Sequence, residues 1–297
     1  MSIIERAIKR LEEQERVGKG PAEGGPSASA TAAAQDAGRP EEGTPPEAAG
    51  EVVIDLERIR AQGFAVVAPG DKGRLAEEFR HLKRPLLMNA FGEGALPATN
   101  RNLVMVTSAR PGEGKTFTAF NLALSIAQER DKTVMLVDAD VPRPSVARLL
   151  GIQRVRGLVD HLDGGTRDFG ACILRTSIPN LRVVSAGRRH PHATELLGSQ
   201  AMKALCHELA TRYPDRVVLF DSPPLLPTTE AGVLAGLVGQ VVVVVEAERT
   251  RREELREARE RIPAGRYVGL VLNKARRPFG VDRYYDAYDA YGYGHGD

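Results

Sequence analysis

Tryptophan is missing from this chain of 297 residues, cysteine occurs only twice, and neither sign of charge dominates. The formal net charge is +2 at pH 7, which gives no electrostatic attraction toward nucleic acid, so no nucleic-acid partner is predicted. Cys172 and Cys206 are far apart and have no His or Cys neighbours at metal-ligand spacing. We therefore expect free thiols in a reducing compartment rather than a disulfide framework or a zinc site.

Long apolar runs are also missing. No stretch reaches the roughly 18 uncharged apolar residues that span a bilayer, and the longest run, VGQVVVVVEA, is typical of a buried parallel strand. The first residues, MSIIERAIKRLEEQER, are charged throughout and do not resemble a signal peptide. The sequence thus predicts a soluble cytoplasmic protein.

The first 50 residues differ in composition from the rest. Residues 2–17 carry Ile4, Ala7, Ile8 and Leu11 on one helical face, which predicts an amphipathic helix that docks on its own domain or on a partner. Attachment to a membrane surface is a weaker alternative, because the polar face mixes both signs of charge. Gly, Pro, Ala, Ser and Glu dominate the next segment and indicate a disordered linker. The predicted parts are an N-terminal helix (1–17), a linker (18–50), a main domain (51–280) and a tail (281–297).

The main domain begins with a predicted helix near residues 75–91, and from residue 103 valine-rich strands alternate with helices. One of these helices is predicted to be continuous through TELLGSQAMKALCHELATRY. The alternation predicts an α/β fold, a mostly parallel sheet with helices on both faces. In such sheets ligands bind at the carboxyl ends of the strands.

A phosphate-binding loop is predicted where the strand LVMVTSA runs into RPGEGKTFTAF. Gly112 and Gly114 let backbone N–H groups turn around a polyphosphate, Lys115 can reach its β- and γ-phosphates, and Thr116 can ligate Mg²⁺. The strict loop pattern has Gly where this chain has Ala109, so an ordinary turn at the start of a helix is the alternative. A nucleotide with Mg²⁺ is the predicted ligand. The residues expected to line the nucleotide are Pro111, Gly112, Glu113, Gly114, Lys115, Thr116 and Phe117.

Acidic residues follow two other predicted strands. Asp138 and Asp140 leave the strand in VMLVDADVPRPS, and Asp221 ends the strand in VVLFDSPPLL. Alone, the first two could equally cap a helix or sit in a loop. Three strand ends that meet at one edge instead predict a Mg-nucleotide site that transfers or hydrolyses the γ-phosphate.

The C-terminal stretch YYDAYDAYGYGHGD holds five of the seven tyrosines. Gly and Asp disfavour both helix and strand there, so these rings cannot pack as core residues do. Either the tail is a disordered segment without a role for its tyrosines, or the tyrosines are phosphate acceptors. The candidate acceptors are Tyr284, Tyr285, Tyr288, Tyr291 and Tyr293.

The motifs SARPGEGKT, VMLVDADVPRP and VVLFDSPP resemble the Walker A, A′ and B motifs of the bacterial tyrosine kinases, over about residues 75–297. The N-terminal helix, the linker and EEFRHLKRPLL further resemble the exosortase-associated tyrosine autokinases. The resemblance implies a P-loop NTPase architecture of the deviant Walker (ParA/MinD-like) type, with ATP and Mg²⁺ as cofactors. It also implies autophosphorylation of the C-terminal tyrosines in trans. It also implies a homo-oligomer, a role in exopolysaccharide biosynthesis, and a membrane chain-length determinant (polysaccharide co-polymerase) partner that holds the kinase at the inner membrane.

The same resemblance assigns roles to individual residues. It implies that Lys115, Asp138, Asp140 and Asp221 are catalytic, with Asp138 and Asp140 as metal-site or proton-accepting groups. It implies Mg²⁺ ligation by Thr116, Asp138 and Asp221.

Further positions match the family less closely. Glu77, Arg80 and Lys83 fit an ExxRxxR-like motif used for contacts between protomers, although the last position is Lys, which cannot form a bidentate contact. Pro142 stands where the A′ pattern often has Arg, and the neighbouring Arg143 either takes that role or leaves it unfilled.

Asn273 in GLVLNKA stands where related P-loop proteins contact the nucleotide base, and a turn-capping Asn is the alternative. A switch ATPase of the ParA/MinD kind is the competing function, but it would carry an early loop lysine where this chain has Arg110 and Pro111. A third possibility is a scaffold of a polysaccharide machine that binds ATP without transferring phosphate.

Overall fold

The computed structural model of the protein describes residues 51–92, 100–153, 155–213 and 215–275. The predicted N-terminal helix, the linker and the tyrosine-rich tail lie outside these residues. Within the described part, no helix is both long enough and apolar enough to cross a membrane.

A seven-stranded sheet forms the centre of the described domain, in the order β3-β4-β2-β5-β1-β6-β7. All neighbouring strands are parallel except β3 and β4, which pair antiparallel. This confirms the predicted α/β class and the mostly parallel sheet. The strands are β1 (Leu103–Ser108), β2 (Thr133–Asp138), β3 (Leu174–Arg175), β4 (Leu181–Val184), β5 (Arg216–Asp221), β6 (Gln240–Glu246) and β7 (Tyr267–Asn273).

The described part also contains nine α-helices and one short 3₁₀ helix (Phe169–Cys172), and the first two α-helices precede β1. The α-helices are α1 (Leu56–Ala61), α2 (Arg74–Phe91), α3 (Lys115–Ala127), α4 (Val146–Leu150), α5 (Leu158–Leu162), α6 (Ala193–Leu197), α7 (Gln200–Arg212), α8 (Glu230–Leu237) and α9 (Arg252–Glu260).

Helices cover both faces of the sheet because the central strands are apolar on both sides. Along β1, Val104 and Val106 belong to the core under α2 and α3, whereas Leu103 and Met105 belong to the core under α7, α8 and α9. All four side chains are fully buried. A strand that is buried on both faces has no solvent-exposed side, so its residues do not alternate between apolar and polar. This explains the continuous apolar runs in the sequence.

One helix prediction is wrong. The stretch expected to form a single helix from Thr194 to Tyr213 forms two, because α6 ends before Gly198 and α7 begins after Ser199. The Ser199 hydroxyl accepts a hydrogen bond from Met202 N at 3.2 Å, which caps the new helix. A serine at this position satisfies free N–H groups at a helix start, so it favours a break over a continuous helix.

Candidate functional site

The loop between β1 and α3 has the backbone of a phosphate cradle. Gly112 and Gly114 have φ angles of 87° and 102°, a left-handed conformation that side chains disfavour. α3 then begins at Lys115, so its N-terminus and the positive end of its dipole face the loop. Backbone N–H groups gathered in this way form a concave site for an anion.

Lys115 lies at the entrance of this cradle, in contact with a predicted catalytic aspartate. Its ammonium is 3.4 Å from Oδ2 of Asp140, and both residues are largely buried. The pairing satisfies a buried cation that would otherwise be costly to desolvate. An entering polyphosphate offers the same ammonium a second and more highly charged partner.

Three strand or helix ends meet beside the loop. The Thr116 hydroxyl donates to Oδ2 of Asp221 at 2.7 Å, which joins the start of α3 to the end of β5. The Ser145 hydroxyl lies 2.9 Å from the Thr116 hydroxyl and donates to the same carboxylate oxygen at 3.4 Å. Ser145 directly precedes α4, so the loop after β2 also reaches this point.

Asp138 and Asp221 are neighbours because their strands pair in parallel register, residue against residue, at the carboxyl edge of the sheet. Oδ2 of Asp138 accepts hydrogen bonds from the backbone N–H groups of Ser145 and Val146, both at 2.9 Å. In both aspartates the other oxygen, Oδ1, has no hydrogen-bond partner within the described part of the chain, and both side chains are fully buried.

Burial raises the pKa of both carboxyl groups, and the Asp221 charge raises the pKa of Asp138 further. Two buried carboxylates with free oxygens are a costly arrangement that a cation would relieve. The donors fit Mg²⁺, since Thr116, Asp138 and Asp221 offer hard oxygen atoms. The described residues contain no group of three or more His, Cys, Asp or Glu that could hold a metal, so nucleotide phosphates and water would have to supply the remaining ligands.

The opposite side of the loop contacts the ends of β6 and β7. Asn273, predicted to meet the base, donates from Nδ2 to the Glu113 carbonyl at 2.8 Å. Lys274 donates to the Gly112 carbonyl at 2.7 Å. The buried Glu113 carboxylate accepts from Arg110 N at 2.7 Å and from the Thr250 hydroxyl.

Pro111 and Phe117, which were also predicted to line the nucleotide, lie in different environments. Pro111 is exposed at the tip of the loop. The Phe117 ring packs 5.3 Å from Phe64 and 6.1 Å from Phe79, between α3 and α2, so the side chain belongs to the core. Any nucleotide contact by Phe117 would therefore have to come from its backbone.

The predicted oligomer residues lie together on α2 but differ in exposure. Glu77 and Arg80 form an ion pair on the surface, and Arg80 also donates to the Asp71 carbonyl at 2.8 Å. Lys83 is only 7% exposed. Its ammonium donates to the Ser125 carbonyl at 2.7 Å and pairs with Glu129 at 2.6 Å, so its charge is engaged within the chain. An intermolecular role for the three residues stays a prediction.

Arg143, the candidate replacement for the missing A′ arginine, lies in the turn after β2, where its N–H bonds the Asp140 carbonyl at 3.0 Å. Its side chain is exposed and has no acceptor among the described residues.

Sequence reasoning missed Ser145, Thr250 and Lys274. Ser145 had a weak signal, since a serine before VARLL is a typical helix cap. Thr250 and Lys274 had no signal in the sequence, because each is more than 130 positions away from the loop residue that it contacts. The five tail tyrosines lie outside the described residues.

Comparison with known proteins agrees with this geometry. A family model for "ParA: NUBPL iron-transfer P-loop NTPase" matches residues 99–224. The chain is 33% identical over 172 residues to the tyrosine-protein kinase YwqD of Bacillus subtilis, covering 57% of this chain and 71% of that protein. It is 31% identical over 194 residues to the tyrosine-protein kinase CpsD of Streptococcus agalactiae, covering 64% and 81%. The crystal structure of the chimerical protein CapA2B2 superposes with a TM-score of 0.60 at 26% identity, covering 74% of this chain and 99% of that one.

Proposed function

Because this chain belongs to the bacterial tyrosine-protein kinases, we propose that it uses ATP to phosphorylate the tyrosines of its own C-terminal cluster. The enzyme class follows from the family, whereas the acceptors are our assignment. The cluster is the candidate acceptor because it concentrates five tyrosines in a segment whose composition disfavours packing.

The observation that carries the proposal is the meeting of Lys115, Thr116, Asp138, Asp140 and Asp221 at one edge of the sheet. Lys115 pairs with Asp140, and the Thr116 hydroxyl bonds Asp221 beside a left-handed glycine loop. Asp138 lies opposite Asp221 in the strand register. Phosphoryl transfer needs positioning and charge stabilisation more than covalent catalysis, and these groups supply both.

We assign the phosphate-binding role to the loop N–H groups and to Lys115, whose ammonium would stabilise the charge on the transferred phosphoryl group. Thr116, Asp138 and Asp221 would hold Mg²⁺. When bound, the cation would neutralise charge on the β- and γ-phosphates. The Oδ1 atoms of Asp138 and Asp221 support this assignment, since neither is engaged by a hydrogen bond among the described residues and both can accept a metal ion.

Asp140 is our candidate for the proton acceptor. It keeps 6% exposure, whereas Asp138 and Asp221 are completely buried. Once a polyphosphate engages Lys115, the Asp140 carboxylate is released to accept a hydrogen bond from a tyrosine hydroxyl. The tyrosine proton would pass to Asp140, the tyrosine oxygen would bond to the γ-phosphorus, and ADP would leave with the electrons of the broken P–O bond.

Transfer between protomers, an exopolysaccharide role and a membrane co-polymerase partner are parts of the proposal that rest on the family resemblance. Tyr284 lies 11 positions beyond Asn273, a reach of up to about 36 Å when extended. This length permits transfer within one chain as well as between chains, so the two must be separated by experiment.

The test is tail-peptide mass spectrometry after incubation with ATP and Mg²⁺, comparing the wild type with Lys115→Met. We expect phosphate on one or more of Tyr284–Tyr293 in the wild type and none in the variant. Lys203→Met is a matched control, because Lys203 is exposed on α7, which packs in a different core from α3. Wild type that consumes ATP without tyrosine phosphorylation would refute the kinase proposal and favour the switch ATPase, the competing function considered from the sequence.

A mixing experiment separates the two routes of transfer. The Lys115→Met chain serves as acceptor, and a chain with all five tail tyrosines changed to Phe serves as enzyme. Phosphate on the acceptor establishes transfer between chains. An unmodified acceptor, when wild type modifies itself, establishes transfer within one chain.

A further inference from the structure

We propose that Asn273 and Lys274, at the end of β7, are positioning residues that hold the phosphate loop in its nucleotide-binding conformation. The inference rests on the proposed binding of ATP by this loop. The role inferred for Asn273 differs from the base contact that was predicted from its place in the sequence. For Lys274 no role was predicted from the sequence.

Two consecutive carbonyl groups of the loop are fixed by these residues. Lys274 Nζ donates to the Gly112 carbonyl at 2.7 Å, and Asn273 Nδ2 donates to the Glu113 carbonyl at 2.8 Å. A peptide bond is planar and trans, so its N–H points opposite to its C=O. With the two oxygens bound toward β7, the N–H groups of Glu113 and Gly114 must point away from β7.

The strand order shows what lies on that other side. β6 and β7 flank β1 on one side, whereas β5 and β2, which carry Asp221 and Asp138, flank it on the other. The contacts from β7 therefore turn two loop N–H groups away from the β7 side, the orientation needed to donate to a phosphate near Lys115 and Thr116. A loop that is already in place spares the ligand the entropy of ordering it.

Asn273 also explains why the loop needs glycine at one position. A Cβ placed on Gly114 would lie 2.0 Å from Asn273 Nδ2, so the amide packs directly against the bare Cα. Gly114 thus serves two purposes, since its φ of 102° and this close approach both exclude a side chain.

A third contact from the same side fixes the loop through a side chain. The Glu113 carboxylate, only 2% exposed, accepts from the Thr250 hydroxyl in the segment after β6. Thr250 is itself held by Glu246 N, which donates to its hydroxyl at 3.0 Å. Backbone and side chain of Glu113 are therefore both bound from the β6–β7 side.

Lys274 has a left-handed backbone conformation directly after β7. Its φ is 57°, a left-handed value that costs energy for a residue with a side chain. Its ammonium also forms an ion pair with Glu246 at 3.2 Å. Since Glu246 is part of β6, the ammonium connects the loop to the two strands that bound this side of the site.

The experiment compares Lys274→Met with Lys274→Arg in the full-length protein. Dissociation constants for ATP and ADP are measured by calorimetry, and KM and kcat by phosphorylation of the Lys115→Met acceptor. For Lys274→Met we expect the dissociation constants and KM to rise about tenfold, the effect of losing one hydrogen bond from a charged donor. We expect kcat to stay within about threefold, because the variant keeps every group assigned to the chemistry.

Four variants separate positioning from a general loss of structure. Lys274→Arg keeps a cationic donor and should recover most of the affinity. Glu246→Gln removes the ion pair but leaves the ammonium on the Gly112 carbonyl, so it should change affinity less than about twofold. Asn273→Asp, which turns an acceptor toward the Glu113 carbonyl, should weaken nucleotide binding more than Asn273→Ala does.

Unchanged nucleotide affinity in both Lys274→Met and Asn273→Asp would overturn the inference, whatever happens to their melting temperatures. Equal losses in Lys274→Met and Glu246→Gln would also overturn it, because the ion pair alone would then account for the effect. A wild type that binds ATP but phosphorylates no tyrosine leaves the affinity measurements valid and counts only against the kinase proposal.

Discussion

The Thr116 hydroxyl donates a hydrogen bond to Oδ2 of Asp221 at 2.7 Å. This bond joins α3, the helix that follows the phosphate loop, to the end of strand β5. The two residues are 105 positions apart in the chain. Their contact shows that the loop and the acidic strand end form one site in the folded protein, and it leads to the first prediction.

Thr116→Val should abolish the Mg²⁺ dependence of nucleotide binding while it keeps the shape of the side chain. The hydroxyl is both a donor to Asp221 and a proposed metal ligand, and valine provides neither. We expect phosphotransfer to fall at least about 100-fold, as when one stabilising group is removed from a transition state. Titration with ATP at several Mg²⁺ concentrations gives the measurement, and Thr116→Ser, which retains the hydroxyl, is the control expected to keep most activity.

Asp138→Asn should make the folding stability of the metal-free protein less dependent on pH. The folded state raises the pKa of Asp138, so it binds a proton more readily than the unfolded state does. The wild type should therefore lose stability as the pH rises from the ordinary aspartate pKa, near 4, toward and above neutrality. Asparagine does not titrate, and its amide oxygen can still accept from Ser145 N and Val146 N.

Thermal unfolding between pH 5 and 8, in the presence of a chelator, measures this difference. We expect the melting temperature of the wild type to fall more steeply with pH than that of Asp138→Asn. Parallel curves would show that this carboxylate does not destabilise the empty site. Adding Mg²⁺ and ADP should stabilise the wild type more than the variant, because only the wild type keeps both carboxylates.

Lys83→Ala should destabilise the fold even when the protein is monomeric. The change leaves the Ser125 carbonyl without its donor and removes an ion pair with Glu129 from a mostly buried position. We expect the free energy of unfolding to fall by about 1–3 kcal/mol. Denaturant titration measures it, and Arg84→Ala, an exposed neighbour on α2, should change it by about 0.5 kcal/mol or less.

Light scattering on the same Lys83 variant decides between its two possible roles. A lower molar mass at unchanged stability would show that Lys83 mainly contacts another protomer. Loss of stability at unchanged molar mass would show that its contacts with Ser125 and Glu129 are its main role.

Phosphorylation of the tail should loosen any assembly of protomers. Each phosphate adds about −1.5 to −2 charge. Several of them would repel a neighbouring site that already holds Asp138, Asp140 and Asp221. We expect light scattering to show a smaller assembly after wild type is incubated with ATP and Mg²⁺, and no change for the variant with five phenylalanines. A wild-type assembly of constant mass after confirmed phosphorylation would contradict this mechanism.

Several features of the domain followed from the sequence alone because their causes are local. Continuous valine-rich runs specify strands buried on both faces, and Gly112, Gly114, Lys115 and Thr116 are close enough in the chain to define a phosphate loop without tertiary contacts. The α/β class and the position of α3 were predicted for this reason. The break at Ser199 was also local, yet the apolar periodicity on either side of it outweighed the cap signal in our prediction.

Tertiary structure alone decided which distant side chains meet. The register of β2 against β5 sets Asp138 beside Asp221, and the turn before α4 brings Ser145 to the Thr116 hydroxyl. The end of β7 carries Lys274 to a loop 162 positions earlier. Hydrophobic pattern and propensity describe each segment by itself, whereas these contacts depend on strand order and register, which arise only when the segments pack together.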